Sequence, residues 1–311
     1  MEQLGLDLNN ELIRFLKIEF ENNKLNRLPE NFGGGKIFSY PLIGVAQGND
    51  KIFQKFKDII GSDHLSPLEV WLSNDKEDLS ASKLHVLSIV FPFEKKIQDE
   101  SDNFIRLRRI TLPAKIYSIA RNYGNDFKKD IIKQTIKFLE KKGYAATSGM
   151  FSDSYTVIMK GGFYSTWSER YVAFAAGLGS FGLHEGLITE AGCNIRLGSI
   201  ITNAPLAVSK RKSDEPYANC LYYAKGICKE CIQKCPVNAI TENGHNKIKC
   251  NKYRMKVARK MISRLSSLLK PESRRINWKL KDIFFVGCEF CQFGVPCTDK
   301  NPMSSEYIDW W

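Results

Sequence analysis

The first 192 of 311 residues contain no cysteine, and the whole chain holds only four histidines. A disulfide scaffold spread over the chain is therefore excluded, and little is left for a histidine-rich metal site. No stretch approaches the roughly 18 to 20 unbroken apolar residues that span a bilayer. The opening Met1-Glu2-Gln3-Leu4-Gly5 has no basic region followed by an apolar one, so a soluble, unexported, cytoplasmic protein without a membrane partner is expected. Internal repeats and low-complexity tracts are missing too, which excludes solenoids and long tails. What is present is an apolar content of 43%, enough for real cores, in a length suited to about two domains.

The formal charge of +12 is concentrated in one place. Residues 251–281 hold eleven Lys or Arg against one acid, Glu272, so this segment accounts for +10 of the total. A general nucleic-acid-binding shell is therefore not expected, and any basic surface belongs to the cysteine-rich end.

Apolar spacing near 3.6 through Leu12, Ile13, Phe15, Leu16 and Phe20 predicts a helix capped by Asn10. Ile52, Phe53, Phe56, Ile59 and Ile60 predict a second, stopped by Gly61, and Ser66-Pro67-Leu68-Glu69 has the form of a capping box. Leu84 to Phe91 reads as a central strand. Pro113 opens a long helical pattern through Leu139, with a break expected at Gly124, and Gly143 ends it. Tyr155–Met159 and Leu197–Thr202 read as further strands around a helix over Ser168–Ala176. Elements alternate without strict βαβ spacing, so the fold class is α+β, or mixed α/β. The polar run Ser209-Lys210-Arg211-Lys212-Ser213-Asp214 divides the chain into residues 1–208 and 209–311.

Eight cysteines follow that run as Cys220-x7-Cys228-x2-Cys231-x3-Cys235-Pro236, then Cys250, then Cys288-x2-Cys291-x5-Cys297. A [4Fe–4S] cluster needs four converging thiolates, and the Cys-Pro ending matches the bacterial ferredoxin run, whose fourth cysteine ligates the other cluster. The crossed pattern assigns Cys220, Cys228, Cys231 and Cys297 to one cluster, and Cys235, Cys250, Cys288 and Cys291 to a second. Cys220 stands seven residues before Cys228 instead of two, and Pro296 precedes Cys297 instead of following it. Zinc is the alternative, at the cost of an awkward extra cysteine beside Cys228 and Cys231. Cys193, alone in its segment, reads as a small buried residue. His184, near a turn, reads as a satisfied residue more readily than as a ligand.

Ahead of the cysteines, Gly177-x-Gly179-x-x-Gly182 matches the dinucleotide fingerprint by letter but follows a helical run and not a strand, which argues against a Rossmann site. Ala176-Gly177-Leu178-Gly179-Ser180-Phe181-Gly182, then Leu187-Ile188-Thr189 and Leu197-Gly198-Ser199-Ile200-Ile201-Thr202-Asn203, then the two-cluster pattern, resembles the epoxyqueuosine reductases and their relatives the reductive dehalogenases. The resemblance runs from about Trp167 to Cys297. It implies a nitroreductase-like cobalamin-binding core followed by a bacterial two-[4Fe–4S] ferredoxin-like domain. Between the cysteine motifs, Tyr253, Val257, Met261, Leu265 and Leu268 fall on one helical stripe, so residues 251–281 are expected as a basic, partly helical insert with its Lys and Arg outward. Carried over by motif, Gly177, Leu178, Gly179 and Gly182 would line the corrin.

The departures matter as well. Those reductases carry an acidic proton donor about thirteen residues ahead of the Ala-Gly-Leu-Gly element, and counting back from Ala176 lands on Phe163, with no acid beside it. Tyr164, Tyr155 and Glu169 are the nearest groups able to deliver a proton, although each also reads as structural, and Glu169 with Arg170 as an exposed or paired charge couple. Neither the helical C-terminal extension of many epoxyqueuosine reductases nor a twin-arginine leader is expected. The resulting expectation is a reductase in which two clusters feed electrons to cobalamin, with a flavodoxin or ferredoxin as donor and a small molecule or tRNA as substrate. A cobalamin-free electron-transfer protein is the alternative.

Overall fold

The apolar run from Leu84 forms the strand His85–Pro92, buried along nearly its whole length because it has a neighbour on each edge and helices on both faces. This is seen in a computed structural model, which describes residues 2–74, 76–159, 163–265 and 287–304. The chain begins with α1 (Glu2–Asn22), β1 (Leu42–Gln47), α2 (Ile52–Ile60), α3 (Pro67–Leu72), β2 (His85–Pro92) and α4 (Lys95–Glu100). It continues with β3 (Ile105–Leu107), β4 (Ile110–Leu112), α5 (Lys115–Lys141), β5 (Ala146–Thr147), β6 (Val157–Ile158) and β7 (Tyr164–Ser165). Then come α6 (Glu169–Ala175), β8 (Gly179–Phe181), β9 (Leu187–Thr189) and β10 (Ile195–Thr202). The cysteine-bearing part holds α7 (Leu221–Lys225), α8 (Glu230–Gln233), β11 (Ile240–Thr241), β12 (Gly244–His245) and α9 (Lys247–Leu265).

The main sheet runs in the order β1-β2-β10-β5, and each neighbouring pair is antiparallel. One face packs on α1 and α5 through Leu12, Leu16, Phe20, Phe127 and Ile131, and the other on α2, α3 and α6 through Phe53, Phe56, Trp71 and Val172. The architecture is mixed helix and sheet. None of the described helices is long and apolar enough to cross a membrane.

Local signals held where the chain decides locally. Ser66 Oγ accepts from Glu69 N–H while the Glu69 carboxylate accepts from Ser66 N–H, completing the capping box. Three expectations give way to tertiary packing. The first helix starts at Glu2 and not after Asn10, because Gly5 lies against the backbone of Pro205 and Ala207 and Asn9 Nδ2 donates to the Ala207 carbonyl. α5 passes Gly124 unbroken, since the missing side chain makes room for the Phe38 ring. The strand expected over Tyr155–Met159 shrinks to the two residues of β6, paired with β7.

The polar run at 209–214 is pinned to the sheet: Ser209 N–H donates to the Val45 carbonyl at 2.8 Å, and Arg211 pairs with Asp50 at 2.6 Å. Val257, Ala258 and Met261 of α9, with Phe293, enter the same core as α1 and α5. The cysteine-bearing part is thereby held against the sheet.

Candidate functional site

Short elements bring the cysteines together in two groups. Cys220 caps α7, Cys231 lies in α8, and both line one cavity with Cys228, Cys297, His184 and Ile188. Burial, then the charges of Cys297, Cys220 and Cys228, push the Cys231 thiol up to about 12. In the second group, burial and then Cys288 and Cys235 push Cys250 up to about 12. Burial raises Cys288 to about 11, and Cys291 rises well above its usual value through burial and the nearby Cys288, Cys250, Cys231 and Cys235. Cys231 thus appears beside Cys291, so the two groups adjoin.

Cys231 lies in α8 and Cys235 four residues on, past its end, while Cys291 and Cys297 lie in the segment whose charges act on both. Cys228 and Glu289 hold left-handed backbone (φ 76° and 48°), a conformation that costs non-glycine residues roughly 1–2 kcal/mol and that turns the chain sharply beside the thiols.

The donor chemistry fits a metal–sulfide centre. Eight crowded thiols, two buried and six half-buried, offer a soft donor set, and soft thiolates select iron–sulfur clusters or zinc. Cys193 is buried as expected, yet its Sγ lies 3.9 Å from Cys297 Sγ, and His184 Nε2 lies 3.6 Å from the same sulfur. Hydrogen bonds from Cys193 and then His184 pull the Cys297 thiol down to about 5, against the opposing effect of burial. Sequence reasoning missed this pairing, because the contact depends on Cys193 N–H donating to the Cys297 carbonyl at 2.8 Å across 104 residues.

A second concentration of polar groups lies at the edge of the sheet. β5 pairs only with Ile201 and Thr202, so the first six residues of β10 have no partner strand on that side among the described residues. Glu169 begins α6, and both its carboxylate oxygens are buried without a hydrogen-bond partner among the described residues. Burial raises the Glu169 carboxyl, and the nearby Lys128 charge opposes that rise, as do Ser199 and Trp167, which approach the carboxylate without reaching hydrogen-bond geometry. Burial pulls the Lys128 amine down to about 8, with Glu169 opposing and Arg196 adding to the fall. Glu169 is therefore no exposed charge couple: Arg170 alone faces outward and donates to the Glu185 carbonyl. Tyr155 stands beside Glu169, its phenol raised by burial and by that carboxylate. Tyr164 instead donates to Asp63 at 3.1 Å. Asn125 lies one turn from Lys128 on α5, its amide nitrogen also buried without a partner among the described residues.

His64 packs behind this edge, stacked on Trp167 with Nε2 accepting from Ser168 N–H at 3.2 Å. Burial lowers its pKa from 6.5 to about 4. The folded state thus refuses a proton that the unfolded chain accepts below pH 6.5. Stability is full above that pH and falls as pH drops toward 4. Between pH 6.5 and 5 the loss from this residue should be about 1.5 kcal/mol. Urea unfolding at both pH values measures it, and His64→Gln should remove that part of the slope. An unchanged slope in the variant would mean that His64 is not buried neutral.

The glycine element is used by the chain itself. A Cβ on Gly179 would strike the Ile188 carbonyl, and one on Gly182 would come within 3.0 Å of the His184 ring. Gly177, Leu178 and Gly179 line a cavity of about 360 Å³ with Glu190, Lys212 and Asn219, whereas Gly182 turns toward His184.

In α9, Val257 and Met261 are buried and Tyr253 donates to the Thr111 carbonyl, as the apolar stripe predicts. Lys252, Lys256 and Arg259 are exposed. Arg254 does not face outward with them: its guanidinium holds Asn251 Oδ1 at 2.7 Å and stands near Cys250 and Cys288. The insert beyond residue 265, including Leu268, lies outside the described residues.

No family model matches the chain. An epoxyqueuosine reductase of Aliivibrio fischeri (strain ATCC 700601 / ES114) is 31% identical over 197 residues, which is 61% of this chain and 43% of that protein. The chain therefore aligns with less than half the length of this curated relative. Among solved structures, epoxyqueuosine reductase from Streptococcus thermophilus is 16% identical, with 96% of this chain and 68% of that one covered at a TM-score of 0.50. A reductive dehalogenase structure covers 78% of this chain and 31% of its own at 13% identity and a TM-score of 0.43. The chain is thus similar in sequence over part of its length, and in fold over nearly all of it, to epoxyqueuosine reductases.

Proposed function

We propose that the chain is an iron–sulfur reductase that passes electrons through two [4Fe–4S] clusters to a bound cobalamin, and that the cobalamin reduces the substrate. The observation that carries this reading is the gathering of eight cysteines into two adjoining groups of four. Cys220, Cys228, Cys231 and Cys297 hold one cluster, and Cys235, Cys250, Cys288 and Cys291 the other. Residues 1–208 form the nitroreductase-like core, and residues 209–311 the ferredoxin-like domain. Clusters of this kind supply one-electron transfer at low potential, and low-valent cobalamin supplies a nucleophile strong enough to open an epoxide.

The residues around the sheet edge suit a large polar cofactor and its substrate. Glu169 and Asn125 offer buried polar atoms with no partner among the described residues, which an amide-rimmed ring and a polar substrate would satisfy. Removing an epoxide oxygen to leave an alkene takes two electrons and two protons and releases one water. Glu169, with Lys128 and Tyr155 beside it, holds a proton where one is needed. The substrate class follows the name of the relative: an epoxide-bearing modified nucleoside, free or in tRNA. Exposed Lys252, Lys256 and Arg259 of α9 give a flavodoxin or ferredoxin a basic surface to dock on.

One observation favours a cobalamin-free electron-transfer protein instead. The space beside Gly179 and Gly182 is taken up by Ile188 and His184, so those glycines have a use without a corrin. Anaerobic titration of cobalamin into the cluster-loaded chain separates the two readings. One equivalent should bind at about 10 micromolar, with a perturbed corrin absorption band. Absence of binding in a folded, iron-loaded sample would sink the cobalamin reading and leave electron transfer alone.

A further inference from the structure

One sulfur has more neighbours than a cluster ligand needs. His184 and Cys193 both approach Cys297 Sγ, at 3.6 Å and 3.9 Å, and both are almost completely buried. The backbone fixes the histidine tautomer. Gly186 N–H donates to His184 Nδ1 at 2.9 Å, so Nδ1 carries no proton. The ring proton of the neutral imidazole then sits on Nε2, aimed at the Cys297 sulfur. His184 is thereby a donor to that sulfur and no rival ligand.

Cys193 is held as firmly. Its N–H donates to the Cys297 carbonyl at 2.8 Å, and Asn194 N–H donates to the Thr298 carbonyl at 3.1 Å, so the two segments run side by side. A Cβ on Gly192 would collide with the Thr298 carbonyl, which keeps the approach close. Two acceptors lie in reach of the Cys193 S–H, Cys297 Sγ and the Gln292 carbonyl, each at 3.9 Å.

We infer that His184 and Cys193 are hydrogen-bond donors to the Cys297 thiolate and that they raise the reduction potential of the cluster held by Cys220, Cys228, Cys231 and Cys297. The inference rests on the cluster reading given above. Reduction adds negative charge that the ligand sulfurs share, so a donor on one of them stabilises the reduced form more than the oxidised form. Outer-shell donors of this kind orient a ligand and tune the metal centre without touching it.

The test uses the full chain, reconstituted anaerobically with iron and sulfide. Metal and sulfide are counted first, and the reduced clusters are then titrated by potential and followed by electron paramagnetic resonance. Wild type, Cys193→Ala and His184→Phe should each hold about eight irons and eight sulfides. In each variant one of the two potentials should fall. At the potential that half-reduces that cluster in the wild type, the ratio of reduced to oxidised cluster should drop by about five- to tenfold, tenfold corresponding to ~59 mV for one electron. His184→Gln, which restores an N–H near the sulfur, should recover part of the shift. Unchanged potentials in both Cys193→Ala and His184→Phe would overturn the inference. So would loss of about four irons in Cys193→Ala, which would make Cys193 a ligand. A wild type without sulfide would end the cluster reading itself, and the metal count shows this before any potential is measured.

Discussion

Replacing Cys228 by alanine is expected to remove about four irons and four sulfides from a chain that otherwise holds about eight of each, and Cys250→Ala should remove the other four. The two variants touch different groups: Cys228 shares a cavity with Cys220, Cys231 and Cys297, whereas Cys250 stands beside Cys288 and Cys235. Either loss should abolish electron flow to a bound acceptor, since the chain then lacks one member of its relay. The folding cost should be large as well. α7 and α8 have five and four residues, β11 and β12 two each, and the apolar cluster around them consists mainly of Leu183, Ile188, Ile240 and the cysteines. Such short elements bury little surface of their own, so on the cluster reading metal binding supplies much of their stability. Hydrogen exchange over residues 220–250 should accelerate in each variant, while β2 and α5 stay protected. A preparation with two zinc ions and no sulfide would overturn the iron–sulfur assignment while leaving the ligand groups intact.

How much of this was legible in the sequence depends on how far apart the interacting residues are. Ser66 and Glu69 meet within one turn, so their capping box was readable, and the nearly continuous apolar run at 84–91 pointed to the central strand. Cysteine spacing points to two groups, because short spacings leave a loop few ways to aim its sulfurs. Pairing was not readable: nothing in β10 says that it lies beside β2, or that β5 stops after two residues and opens the edge where Glu169 sits. Lys128 reads as one more solvated lysine in a helix that carries several, and only the fold puts its amine near Glu169, 41 residues on. Arg254 fails for the opposite reason. A cation in a basic segment is read as outward, and Asn251 and the cysteine group turn it in. Cys193 carries no local signal for its contact with Cys297.

Glu169→Gln should lower the turnover of an epoxide-bearing substrate by about 10²- to 10³-fold, the usual loss when a positioned proton donor is removed. Glutamine keeps the shape of the side chain and its buried hydrogen-bonding capacity but holds no transferable proton. The wild-type carboxyl suits the task because burial raises it above the usual carboxylate value, while the nearby Lys128 opposes that rise. Lys128 also gives the rate an upper pH limit. Its amine loses its proton near pH 8, and turnover should decline above that point as the charge facing Glu169 disappears. The assay is single-turnover deoxygenation of an epoxyqueuosine-bearing RNA stem loop under chemical reduction, with iron, sulfide and corrin content matched between variants. Substrate affinity should change little, so the loss should fall on the rate constant. A second readout needs no substrate: the infrared band of the protonated Glu169 carboxyl should persist in the wild type above the pH at which ordinary carboxylates ionise and be missing in Glu169→Gln. If the band is absent from the wild type and turnover survives the substitution, Tyr155 becomes the donor to test, through Tyr155→Phe.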